Sequence, residues 1–93
     1  MPSRITIPLF PLGLVLLPQM PLPLHIFEER YKLMIGECLE KNKKFGIVYF
    51  NGTNFQAIGC TASIQRVLKR YDDGRLDILT RGENRFNSRL RRI

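Results

Sequence analysis

The stretch IFEERYKLMIGECLEK, from Ile26 to Lys41, is the part of the chain whose apolar residues recur at helical spacing. Phe27, Tyr31, Met34, Ile35, Cys38 and Leu39 fall on one side of a 3.6-residue period, and this predicts an amphipathic helix. Glu28, Glu29, Lys32, Glu37 and Lys41 occupy the rest. Glu28–Lys32 and Glu37–Lys41 stand at i,i+4, where opposite charges attract along a helix surface. The glutamates near the start and Lys41, Lys43 and Lys44 near the end complement the helix dipole, and Asn42 suits a C-terminal cap.

Downstream the period changes from 3.6 to 2. Phe45 to Phe50 has strand composition, and Asn51-Gly52 is a turn signal. In the next segment Ile58, Cys60, Ala62 and Ile64 point one way, and Thr61, Ser63 and Gln65 the other. The phase slips at Val67-Leu68, which predicts a bulge. Tyr71 to Arg75 reads as a hairpin turn and Leu76 to Thr80 as the returning strand. Gly82-Glu83-Asn84 reads as a further turn into Arg85-Phe86.

Upstream, proline dominates: all 6 prolines lie in the first 23 residues. Arg4 to Leu9 alternates like a strand, confined by Pro8 to an edge or to the end of a pairing. Gly13 to Leu17 reads as a short buried strand. Pro18 to Leu24 must be extended, because proline pushes the residue before it out of the helical region. Its prolines donate no ladder hydrogen bonds, so a rigid connector is expected there. The fold class expected is α+β, mostly β, with one amphipathic helix, and 93 residues hold one domain.

The net charge of +7 is uneven, with +2 over residues 1–65 and +5 over residues 66–93. A basic half is compatible with RNA and equally with a solvated face. No apolar run is long enough to span a membrane. The apolar N-terminal region after Arg4 has the outline of a signal peptide, but its prolines break any helical h-region. Cys38 and Cys60 lie in apolar patterns and behave as small hydrophobes, which fits a reducing, cytoplasmic compartment.

Catalytic constellations are not found. His25 is the single histidine and reads as a residue at the helix start. With Cys38 and Cys60 it would give three zinc ligands, but Cys38 falls on the predicted core face, so no metal is expected. A thiol–imidazole pair has no local support. Glu28-Glu29 diverge around a helix, and Asp72-Asp73 serve a turn. The glycines form no phosphate-binding loop, so no cofactor is expected. Asn51-Gly52-Thr53 matches a glycosylation sequon, for which its turn role is explanation enough.

The chain resembles the N-terminal substrate-binding domain of the Lon ATP-dependent proteases. The resemblance rests on Ile7-Pro8-Leu9-Phe10-Pro11-Leu12, on Pro21 to Glu28, on Arg30-Tyr31 with Met34, and on Phe45 to Val48. It continues through Ile58 to Ala62, Asp73-Gly74-Arg75 and Gly82 to Phe86. It implies a PUA-like pseudo-barrel with a helix packed on it, and a role in recognising unfolded or tagged polypeptide and assembling with Lon-type ATPase/protease subunits. The family's ATPase module and Ser–Lys peptidase dyad lie in other domains, so the chain is expected not to be an enzyme. Beyond Phe86 the resemblance stops, and the arginine-rich end suggests a domain incomplete at its C-terminus.

Two functions follow as expectations, with a truncated fragment lacking independent function as a third possibility. The first is polypeptide recognition through the proline-rich region, with some of Phe10, Leu12, Met20, Leu22 and Leu24 left exposed as the contact surface. The second is RNA binding by a PUA-like domain, against which the arginines lack interleaved aromatics.

Overall fold

A long hairpin forms the spine of the molecule, seen in a computed structural model that describes residues 7–53 and 55–87. Strand β4 (Phe55–Arg70) turns at residues 71–75 and returns as β5 (Leu76–Asn87). The turn is tight because Gly74 takes φ +92° and the Tyr71 N–H donates to the Arg75 carbonyl at 3.0 Å. Preceding these are β1 (Leu9–Leu12), β2 (Pro21–Ile26), helix α1 (Glu29–Lys41) and β3 (Phe45–Phe50). The strands form a 5-stranded sheet in the order β1-β3-β4-β5-β2. β1 runs parallel to β3, and the other neighbours are antiparallel.

The hairpin is bent. Its register shifts between Cys60 and Ala62, between Ile64 and Arg66, and between Val67 and Lys69. The last is the bulge expected at Val67-Leu68; the other two leave no clear break in the alternation. Each shift adds twist. The mostly-β class with one helix is as expected, but the sheet does not close into a barrel. Among the described residues, β1 and β2 have no strand pairing with each other.

The core lies between the sheet and α1. Ile35 and Cys38 of the helix are buried against Ile26, Phe45, Ile47 and Ile78. Asn42 caps the helix in the left-handed region (φ 53°), as expected, and its N–H bonds the Cys38 carbonyl. The Lys41–Glu37 pair forms at 3.3 Å, whereas Lys32 pairs with Glu29 at 3.1 Å rather than with Glu28.

Several expectations are corrected. The helix begins at Glu29, because Ile26 is the last residue of β2 and is buried opposite Leu76. Phe27 therefore lies outside the helix and is 61% exposed instead of in the core. His25 is a β2 residue and not a helix starter. Gly13 to Leu17 is an irregular connector in which Leu16 is buried and Leu14, Val15 and Leu17 are exposed. Pro21 to Ile26 is a strand at the sheet edge, not only a connector. Gly82 lies within β5 rather than in a turn, and is required there because a methyl group would overlap the Leu17 carbonyl. Of the strand expected from Arg4 to Leu9, residues 4–6 lie outside the described residues, and β1 starts at Leu9.

Candidate functional site: a groove between the open edges

The edge strands β1 and β2 present side chains to a common groove of about 530 Å³. Phe10 and Leu12 from β1 and Leu22 and Leu24 from β2 line it. In β2 the sequence PLPLHI alternates exposed and buried, so every second residue points inward. The Thr80 hydroxyl donates to the Leu22 carbonyl at 2.7 Å and fixes β2 on β5. Phe10 packs on Tyr31 at 4.4 Å between ring centroids and tilts toward Phe45 at 6.3 Å.

The groove brings together Phe10, Leu12, Leu22 and Leu24 of the expected contact residues, but not as an exposed surface. Phe10, Leu22 and Leu24 are buried and Leu12 is partly buried, so they form its floor. Met20 is partly buried against the core and is not a lining residue. The accessible apolar surface comes instead from Leu14, 38% exposed, and Phe27, 61% exposed, both of which line the groove. Periodicity alone assigns Leu14 to a buried strand and Phe27 to the helix's core face. Glu28, Arg30 and His25 supply polar groups around it, and the Arg30 guanidinium sits over the Tyr31 ring at 4.7 Å.

The backbone at both edges is unusual. The Gly46 N–H donates to the Pro8 carbonyl at 2.8 Å, and Gly46 is in register with Leu9. In a parallel ladder this turns residues 8, 10 and 12 toward β3, and Leu9 and Pro11 outward. On the other edge the Gly82 N–H donates to the Met20 carbonyl at 2.9 Å. This sets the antiparallel phase so that 20, 22, 24 and 26 bond β5 and Pro21 and Pro23 face outward. Three of the outward-facing positions thus carry proline, which has no N–H to give to an added strand. A segment in the groove would be held by side-chain contact and not by a continued ladder.

Beside the groove, His25 Nδ1 lies 2.5 Å from Asp77 Oδ1, and the Tyr71 hydroxyl donates to Asp77 Oδ2 at 2.7 Å. These hydrogen bonds, that from His25 first, hold the Asp77 carboxyl below the usual carboxylate range, and the bond to Asp77 raises the Tyr71 hydroxyl. His25 also stacks on Phe27 at 5.8 Å. Lys69 and Arg75 lie over the Tyr71 ring at 4.7 and 4.5 Å. Burial pushes both cysteine thiols up, which keeps them protonated and unreactive. Among the described residues no group of three His, Cys, Asp or Glu side chains is arranged to hold a metal. No described helix is long and apolar enough to cross a membrane.

A curved sheet with one helix and an apolar groove at its open side defines a binding domain. The chain belongs to the family of ATP-dependent protease La (LON) substrate-binding domains, whose profile matches residues 6–90. A crystal structure of a Lon N-terminal domain protein from Xanthomonas campestris is 33% identical and superposes with a TM-score of 0.82 over 96% of this chain. The N-terminal domain of Lon protease from the Mycobacterium avium complex shares the fold, with a TM-score of 0.67 over 87% of the chain at 20% identity. A LON peptidase N-terminal domain and RING finger protein of Schizosaccharomyces pombe is 51% identical over 41 residues, 44% of this chain. The chain spans 53% and 44% of the two solved structures and 8% of the yeast protein.

Proposed function

We propose that this chain is a non-catalytic recognition module that holds apolar segments of unfolded or tagged polypeptide in the groove between β1 and β2. The observation that carries the reading is the pairing of an apolar floor with accessible Leu14 and Phe27, flanked by edges whose outward positions carry Pro11, Pro21 and Pro23. A site of this kind accepts varied sequences, because it asks for apolar bulk and not for a hydrogen-bond pattern. Membership in a substrate-binding family supports the reading. The module would act with a Lon-type ATPase/protease partner, in a reducing compartment such as the cytoplasm, where Cys38 and Cys60 stay free.

The test is a salt titration of binding to a reduced, carboxymethylated protein that stays unfolded. Apolar contact changes little with salt, whereas contact with several phosphates weakens on the order of a thousandfold between about 50 and 200 mM. Weak binding that survives salt and is lost in Leu14→Asp and Phe27→Ser is expected. Salt-sensitive binding to structured RNA, reduced by changing Arg66, Lys69 and Arg70, would replace this reading with the RNA one.

A further inference from the structure

A second cavity, of about 380 Å³, lies against the Gly13–Leu17 connector. Its walls are apolar: Val15 and Leu16 of the connector, Ile47 and Tyr49 of β3, and Ile58 of β4. Val15 is 59% and Ile58 56% exposed, so the cavity has accessible apolar walls. Arg85 is the charged residue that lines it. Arg85 stands opposite Cys60 in register, on the same side of the sheet, and is itself exposed at the mouth of the cavity. Among the described residues its guanidinium has no ion pair or hydrogen bond, although Glu83, two residues away on the same strand, pairs with Lys44 and Ser63.

An unpaired guanidinium beside an apolar pocket calls for a ligand that is apolar at one end of a short span and anionic at the other. A planar guanidinium binds a carboxylate through two parallel hydrogen bonds, a geometry an amide cannot match. We propose that this cavity takes the C-terminal residue of a bound polypeptide when that residue is apolar. The side chain would enter between Val15, Tyr49 and Ile58, and the terminal carboxylate would meet Arg85. The proposal rests on the recognition reading and adds a site that tells a free chain end from an internal segment. The groove would hold any apolar segment, and the cavity would favour those that end.

Fluorescence anisotropy with two labelled decapeptides tests it. Both carry a glycine–serine body ending in leucine, one as the free acid and one as the C-terminal amide. The free acid is expected to bind about threefold more tightly at low salt, the scale of an ion pair at an exposed guanidinium. The preference should shrink as salt rises, and vanish in Arg85→Gln. Ile58→Ser should weaken both peptides; its side chain is largely exposed, so the fold should tolerate the change. Equal affinity for acid and amide overturns the proposal, as does a preference that persists in Arg85→Gln. Failure of the recognition reading shows separately, as loss of binding to an unfolded protein whose C-terminus is amidated, or as indifference of that binding to Leu14→Asp.

Discussion

The Thr80 hydroxyl and the Leu22 carbonyl meet at 2.7 Å inside the core, 58 residues apart in the chain. Thr80 is the fully buried polar residue of the described core, and Leu22 forms part of the groove floor. Thr80→Val keeps the shape and removes the donor. It should lower stability by about 1 kcal/mol, the typical net worth of such a bond. Urea denaturation checks it, and an unchanged midpoint would show that the bond contributes nothing.

Burial separates two apolar residues that periodicity assigns to one face. Ile35 has 0% exposure and Phe27 61%. Ile35→Ala should cost about 2–5 kcal/mol, the range for deleting a buried aliphatic side chain. Phe27→Ala should fall within about 0.5 kcal/mol of the parent, as surface changes do. Thermal unfolding of the two variants side by side decides this, and equal losses would contradict the placement of Phe27.

The glycines give a prediction with opposite signs. Gly36 lies mid-helix, and a methyl group there would meet nothing within 4 Å. Gly36→Ala should stabilise by about 0.5–1 kcal/mol, because glycine loses more backbone freedom on folding. Gly82→Ala should destabilise, since its methyl group would strike the Leu17 backbone. Stabilisation of both by calorimetry would show that the connector yields to the added methyl.

Acid stability should depend on Asp77, whose carboxyl is held low first by its hydrogen bond to His25 and then by that from Tyr71. A carboxyl depressed in the folded state binds its proton more readily in the unfolded state, so it adds stability above its unfolded value of about 3.9. That contribution is lost as pH falls through the lower folded value. Asp77→Asn should therefore be less stable than the parent at neutral pH, with the gap narrowing on acidification below about pH 4. Asp73 and Glu83 are also lowered, so both proteins keep some acid sensitivity. Stability curves that stay parallel from neutral to strongly acid pH would remove Asp77 from this role.

Much of the fold was legible because its signals are local. The centre of α1, the Asn42 cap, strand β3 and the hairpin at residues 71–75 each follow from neighbouring residues. What escaped depends on distant partners. β2 is a strand because β5 lies beside it and because its prolines fall on the outward phase, and only the register decides that. Gly82 resembles a turn residue in sequence, yet serves the approach of Leu17. The apolar, proline-rich composition of the N-terminal region points to Phe10, Leu12, Leu22 and Leu24, which the fold brings to one groove, and to Met20, which it does not. Composition cannot tell a floor from a rim, so neither the burial of Phe10, Leu22 and Leu24 nor the exposure of Leu14 and Phe27 is written in the sequence.

The outward prolines also bear on how the chain is made. β1 and β2 leave the ribosome first, but β1 pairs with β3 and β2 with β5, which come later. Leu22 must wait until Thr80 has been synthesised before its strand has a neighbour. Extended apolar strands in that position are prone to join the same strands on nearby nascent chains. Pro11, Pro21 and Pro23 deny such encounters a regular ladder while leaving the inward phase free for the native partner. The spacing of prolines that shapes the edge of the finished domain would thus also protect it during the interval before it has a fold.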